Sequence, residues 1–258
     1  MTPTQSSNQQ HNLQQGTSFV QTQPSHYATL RRIAALGVIF VVLLIDQSIK
    51  VWVKTHLALG ESIRLTDWAY IFFTENKGMA FGLEFVGTMA LCLFRIAAIV
   101  LLAWALWAVT KLRDVSLWFV ILLSMILAGA AGNIIDNMFY GLIFSDTPAW
   151  EPAQLVPFGH GYGSLMEGHV VDMFYFPIIH THWPDWMPVV GGREFTFFSP
   201  IFNFADAAIT TGALLMIFCY HKTLNRLLSH DKSTSDTNKT AAPSENTASK
   251  TQDRTIKD

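Results

Sequence analysis

Four aspartates stand near the ends of apolar runs, and three of them have an amide or ammonium partner close by in sequence. Asp206 follows Asn203 by three positions, Asp136 follows Asn133 by the same spacing, and Asp46 precedes Lys50 by four. Asp172 lies between the apolar neighbours Val171 and Met173. Residues three or four apart share a helical face, so each pair points in one direction. An acid inside a bilayer costs roughly 2.5 to 3.5 kcal/mol even on insertion scales, so it faces protein, a partner or water. A polar pair that only glues helices together is the plain alternative. Two carboxylates held close together cannot both ionise easily: one keeps a proton while the other can activate water. That is the logic of acid–base hydrolysis by an aspartic peptidase. Nucleophile schemes have less support, because Ser48 and Lys50 are two apart and do not face each other, and no Gly-x-Ser-x-Gly elbow occurs. His180 and His182 match no strong metal signature, so neither a metal nor another cofactor is expected.

The elements that must position these groups are membrane spans. No charged residue appears from Ala207 to Tyr220, and with Pro200 to Asp206 this makes a run of about 21 residues, long enough to cross a bilayer. The expected fold is an all-α polytopic membrane protein with four transmembrane helices, over about 33–53, 87–110, 116–140 and 200–221. A small interfacial β segment (54–86) and a long outer loop (141–199) complete it. In the β segment Ile63, Leu65, Trp68, Tyr70 and Phe72 semi-alternate, as short antiparallel strands at an interface do. The same segment holds Asn76 and Gly78. The glycine permits a close-approach backbone and the asparagine can bond an extended peptide, although a simple turn explains both equally well. Gly129 to Gly132 are small enough for close helix packing. Arg95, inside the second span, reads as a paired, structural residue.

Composition supports the same class. Half of the 258 residues are apolar and 14% are charged, in long runs that do not suit one soluble core. The net charge of −2 without basic blocks argues against nucleic acid as a partner. Cys92 and Cys219 fall inside expected spans and read as small apolar residues. Residues 1–30 carry no Lys, Arg, Asp or Glu and read as a disordered leader. Residues 31–228 form the membrane domain, and 229–258 read as a disordered polar tail. Arg31, Arg32 and the run from Ile33 to Ile45 superficially resemble a secretory signal. No small-x-small cleavage site follows, however, and the helix continues through Asp46, Gln47 and Lys50 to Val53. Arg31, Arg32, Lys111, Arg113, Lys222 and Arg226 flank one side of the spans, which makes both termini cytoplasmic. Asp46, Lys50, Asn133, Asp136, Asp172, Asn203 and Asp206 then share the outer membrane level. A small transporter or a non-catalytic scaffold are the alternatives, and a transporter usually shows inverted repeats or helices broken at the midplane.

In family order, five blocks carry a resemblance: Asp46, Gln47 and Lys50; Asn76, Gly78, Ala80 and Phe81; Gly129 to Asn133 with Asp136; Val170, Val171 and Asp172; and Phe202, Asn203, Ala205 and Asp206. The chain resembles lipoprotein signal peptidase (signal peptidase II), in a longer form found in some Bacteroidota. The resemblance implies a membrane aspartic endopeptidase of the bacterial inner membrane, multi-pass, with its site at the periplasmic face. Its implied substrates are prolipoproteins bearing a diacylglyceryl cysteine, in contact with membrane lipid, and it would cleave just before that cysteine. It further implies that Asp172 and Asp206 are catalytic. Asp46, Lys50, Asn76, Gly78, Asn133, Asp136 and Asn203 would bind substrate or support the site. The residues alone do not rank the acids. One departure stands out: Asn137 follows Asp136 where the family usually has arginine, and Arg95 is a possible substitute for that lost pairing.

Overall fold

The computed structural model describes residues 26–76 and 88–240 of the chain. Gly78, with Ala80 and Phe81, lies outside the described residues. Four helices are long and apolar enough to cross a membrane: His26–His56, Cys92–Thr110, Leu117–Ile143 and Phe204–Leu227. The all-α, four-span expectation therefore holds. In chain order the helices are α1 (His26–His56), α2 (Thr88–Thr110), α3 (Leu117–Ile135) with a π turn (Asp136–Tyr140) and a last turn α4 (Gly141–Ile143), and α5 (Phe204–Thr240).

Three boundaries differ from the sequence expectation. The first helix is already formed at His26, where the described residues begin, within the stretch assigned to the leader. Its opening turn is tied down: Tyr27 Oη donates to the Arg113 carbonyl at 2.9 Å, and Arg31, over the Tyr27 ring, donates to the Leu112 carbonyl at 2.6 Å. At the other end α5 continues past Ser229 to Thr240, a stretch without Gly or Pro to stop it, and bends only at Tyr220. The fourth span begins at Phe204 rather than at residue 200, because Ile201 and Phe202 are drawn into a sheet.

The middle of the bundle is α3, which packs against α1, α2 and α5. It is the most buried of the four spans, as befits a helix apolar on all sides. Lipid tails are as apolar as leucine, so packing contacts and hydrogen bonds, rather than the escape of apolar surface from water, hold such helices together. Small residues make this possible. A Cβ added to Gly129 would come 2.4 Å from the Ala205 carbonyl oxygen and 2.7 Å from Ile209 Cγ1. Gly129→Ala should therefore push α5 off α3 and lower stability by about 1 to 3 kcal/mol, read as earlier thermal unfolding in detergent. Outward faces carry Leu36, Phe40, Phe94, Leu101, Trp104 and Phe218, all exposed as lipid-facing residues would be.

Over one end of the bundle lies an antiparallel sheet in the order β1 (Ser62–Arg64), β2 (Tyr70–Asn76), β3 (Val170–Tyr175), β6 (Ile201–Phe202). Its register sets Thr74 against Asp172, Asn76 against Val170 and Phe174 against Phe202. A shift in β2 between Ile71 and Thr74 adjusts that pairing. Beneath the sheet, Phe73, Val171 and Met173 pack on Val53, Tyr140 and Phe144 at the helix ends. The long loop adds a separate hairpin, β4 (Ile179–His182) with β5 (Glu194–Phe197), which holds His180 and His182 opposite Thr196 and Glu194.

Candidate active site

The site is built on the first turn of α5. Asn203 precedes the helix, and its Oδ1 accepts the Asp206 N–H at 2.9 Å while the Asp206 Oδ2 accepts the Asn203 N–H at 3.4 Å. This is a reciprocal capping box, with aspartate in the place usually taken by Glu or Gln. The spacing noticed in sequence thus has a different origin: Asn203 is outside the helix, and its side chain closes the helix end instead of sharing a face with Asp206. Negative charge is favoured at that N-terminus by the unpaired N–H groups and the helix dipole.

The Asn203 amide then reaches in two further directions. Its Nδ2 donates to Asp172 Oδ1 at 2.6 Å and to Asn133 Oδ1 at 3.1 Å. From α3, Asn133 Nδ2 donates to Asp206 Oδ1 at 2.8 Å. The two asparagines therefore join Asp172, on β3, to Asp206, on α5. Asp172 also bonds the Asn76 side chain from β2. Burial first, and the nearby charge of Asp206 second, push the Asp172 carboxyl up to about 7, against the opposing effects of Asn203, Lys50 and Asn76.

Behind this pair lies a fully buried ion cluster. Lys50 Nζ donates to Asp46 Oδ2 at 3.0 Å, Asp136 Oδ2 at 2.8 Å and Asn133 Oδ1 at 2.9 Å, so its three N–H bonds are all used. Asp46 Oδ1 accepts the Ala205 N–H at 2.9 Å, another of the α5 amides that lack a partner within the helix. Gly132 makes room, since a Cβ there would come 2.6 Å from Asp46 Oδ2. Gln47 Nε2 lies 2.9 Å from Asp136 Oδ1, and its Oε1 accepts from Tyr140 Oη at 3.2 Å. The Asn137 carbonyl, within the π turn, accepts the Gly168 N–H at 2.8 Å, which brings the strand carrying Asp172 up to α3.

Asp46, Lys50, Asn133, Asp136, Asp172, Asn203 and Asp206 are thus brought together, with Asn76 at the edge. Arg95 does not take the place expected of it. It donates to Asn137 Oδ1 at 2.5 Å, and the cation at Asp136 is Lys50. Asn137 has no charge to offer Asp136, and its own Nδ2 donates to the Gly168 carbonyl at 2.7 Å. Among the described residues no group of three or more His, Cys, Asp or Glu is disposed to hold a metal ion.

A second polar cluster was not foreseen. Buried Lys54 pairs with Glu75 Oε1 and donates to Thr147 Oγ1 at 2.7 Å; Thr147 in turn donates to Glu75 Oε1 at 3.0 Å. His169 Nδ1 lies 2.8 Å from Glu75 Oε2. Burial alone would raise the Glu75 pKa, but the bonds with His169, Lys54 and Thr147 outweigh it and hold the carboxyl at about 2. A signal was present in sequence: Lys54 extends the stripe of Asp46 and Lys50 by one more step of four.

Comparison with known proteins adds the following. A family model described as Signal peptidase (SPase) II matches residues 38–222. The protein of Porphyromonas gingivalis named lipoprotein signal peptidase is 47% identical over 200 residues, covering 78% of this chain and 87% of that one. A lipoprotein signal peptidase of Amoebophilus asiaticus is 35% identical over 187 residues, covering 70% and 75%. A solved bacterial membrane enzyme, determined by the in meso method at 2.3 Å resolution, aligns with a TM-score of 0.48 and 21% identity over 74% of this chain and 90% of that one.

Proposed function

The chain belongs to the signal peptidase II family, a family of membrane proteases of lipoprotein maturation, and on that premise we propose that Asp172 and Asp206 hydrolyse the precursor just before its diacylglyceryl cysteine. The observation that carries the choice of acids is the Asn203 amide, which bonds Asp172 and caps the turn holding Asp206. Asp136 and Asp46 are engaged instead with Lys50. In this scheme Asp206 acts as the base, and Asp172, pushed up to about 7, acts as the acid. As water attacks the peptide carbonyl, Asp206 takes a water proton and Asp172 gives its own to the carbonyl oxygen. When the tetrahedral species collapses, the C–N bond breaks, the amine leaves with the proton from Asp206, and Asp172 recovers the one on the diol. Asn133 and Asn203 keep the two carboxyls in place, and Asn76, with Gly78 two positions on in sequence, contacts the extended peptide.

The proposed orientation sets the site at the periplasmic face and both termini in the cytoplasm. Supporting it, Arg31 bonds the connection between α2 and α3, and Arg226 pairs with Asp114 in the same connection at 2.6 Å, so these basic residues gather at the bundle end away from the sheet. The outer leaflet would then hold the lipid of the substrate.

The test is cleavage of a diacylglyceryl-modified prolipoprotein by the purified protein in lipid or detergent. Cleavage before the lipidated cysteine is the expected result; no cleavage by folded protein would refute the reading. The pH profile sharpens it. The acid must hold its proton, so kcat/KM falls as pH rises through about 7. That limb belongs to the coupled pair, and a flat profile up to pH 9 would exclude Asp172 as the proton donor.

A further inference from the structure

The second cluster touches none of the residues assigned above, yet it grips the residue next to one of them. Side chains alternate along a strand, so Glu75 and Asn76 point to opposite faces of β2. On one face Asn76 bonds Asp172. On the other Glu75 is held from three separate segments: Lys54 at the end of α1, Thr147 in the connection beyond α4, and His169 just before β3. Lys54 and Thr147 are buried, and Tyr162 receives the His169 backbone N–H on its hydroxyl at 2.7 Å, so the grip has little slack. Val170 opens β3, and its pairing with Asn76 is the last of that ladder among the described residues. A ladder's end holds less firmly than its middle unless side chains tie it down.

We infer that Glu75 is a positioning residue for hydrolysis: clamped by Lys54, Thr147 and His169, it fixes the end of β2 so that Asn76 stays on the Asp172 carboxyl. The inference rests on Asp172 belonging to the catalytic pair. Charged and titratable groups facing Glu75 are Lys54, His169 and Tyr162, with Asp146 beside Lys54; those acting on Asp172 are Asp206 and Lys50. Loss of the clamp weakens the Asn76 bond, which favours the ionised form of Asp172. The alkaline limb of kcat/KM therefore moves up in pH. A cluster that serves the fold alone would change protein yield and unfolding temperature but leave that limb in place.

The experiment compares full-length wild type, Glu75→Gln, Asn76→Ala, the double variant and Thr147→Val on the diacylglyceryl-modified precursor. Glu75→Gln and Asn76→Ala should each lower kcat on the order of 10- to 100-fold, the cost of a small misplacement, with a smaller change in KM. Both should move the alkaline limb upward, and the double variant should be no worse than Asn76→Ala alone, because the two act through one bond. Thr147→Val keeps the shape, loses one donor to Glu75 and should give a smaller shift of the same sign. A folded Glu75→Gln protein with the wild-type limb, or losses that multiply in the double variant, would overturn the inference. If Glu75→Gln does not fold, an unmoved limb in Thr147→Val does so. Failure of the underlying reading looks different: Asp172→Asn would then cleave like wild type.

Discussion

Asp172→Asn and Asp206→Asn should each lower kcat by about 10²- to 10⁴-fold or more while the protein stays folded. The geometry permits this separation. In Asp172→Asn the Oδ1 that accepts from Asn203 at 2.6 Å is retained, and in Asp206→Asn the Oδ1 that accepts from Asn133 at 2.8 Å is retained. What disappears is the ability to give or take a proton. If the acids act as one unit, as proposed, the double variant should be about as slow as either single one, not slower by the product of the two losses. Asp136→Asn is the control. It removes an anion from Lys50 but no member of the pair, so its loss should appear mainly in folded yield. Substantial cleavage by Asp172→Asn, with none by well-folded Asp136→Asn, would move the pair. The measurement is single-turnover cleavage beside a folding check by size-exclusion chromatography and thermal unfolding.

Lys50→Met should destabilise the bundle strongly, by about 3 to 5 kcal/mol. Lys50 is fully buried and is the shared cation of Asp46 and Asp136, which are themselves buried. Methionine fills the space but leaves two carboxylates without a counter-charge, and Asn133 loses the donor at 2.9 Å that orients it toward Asp206. Stability and activity should therefore fall together. Thermal unfolding in detergent at pH 8, beside single-turnover cleavage, checks it. A Lys50→Met protein as stable as wild type at pH 8 would show that the acids find another partner.

Local spacing made part of this site readable in advance. Asp46 and Lys50, four apart on one helix, do form the expected ion pair. The apolar runs gave four spans within a few residues, except where non-local contacts decided the ends: Ile201 and Phe202 pair with β3, a strand far off in sequence. The Asn203 and Asp206 spacing suggested a shared face and proved to be a cap, because a three-residue step is common to both. Least legible were the groups whose partners depend on folding. Nothing near Ala205 announces that its amide will meet Asp46, and Glu75, amid an aromatic strand, gives no sign that Lys54, Thr147 and His169 will converge on it. Arg95 shows the same limit: its charge was visible, but its partner, Asn137, lies in the π turn 42 residues on.

The bond from the Ala205 amide to Asp46 joins residues 159 apart, from the first of the described helices to the last. Ribosomes deliver those helices in that order. While the nascent protein is still short of residue 203, Asp46 lacks that amide and Asn133 lacks its partners on α5, so the early helices carry unmet polar groups into the lipid. On the proposed mechanism a partly synthesised copy lacks Asp206 as well as the amide that Asp46 accepts, so activity is expected only once the last helix has been inserted.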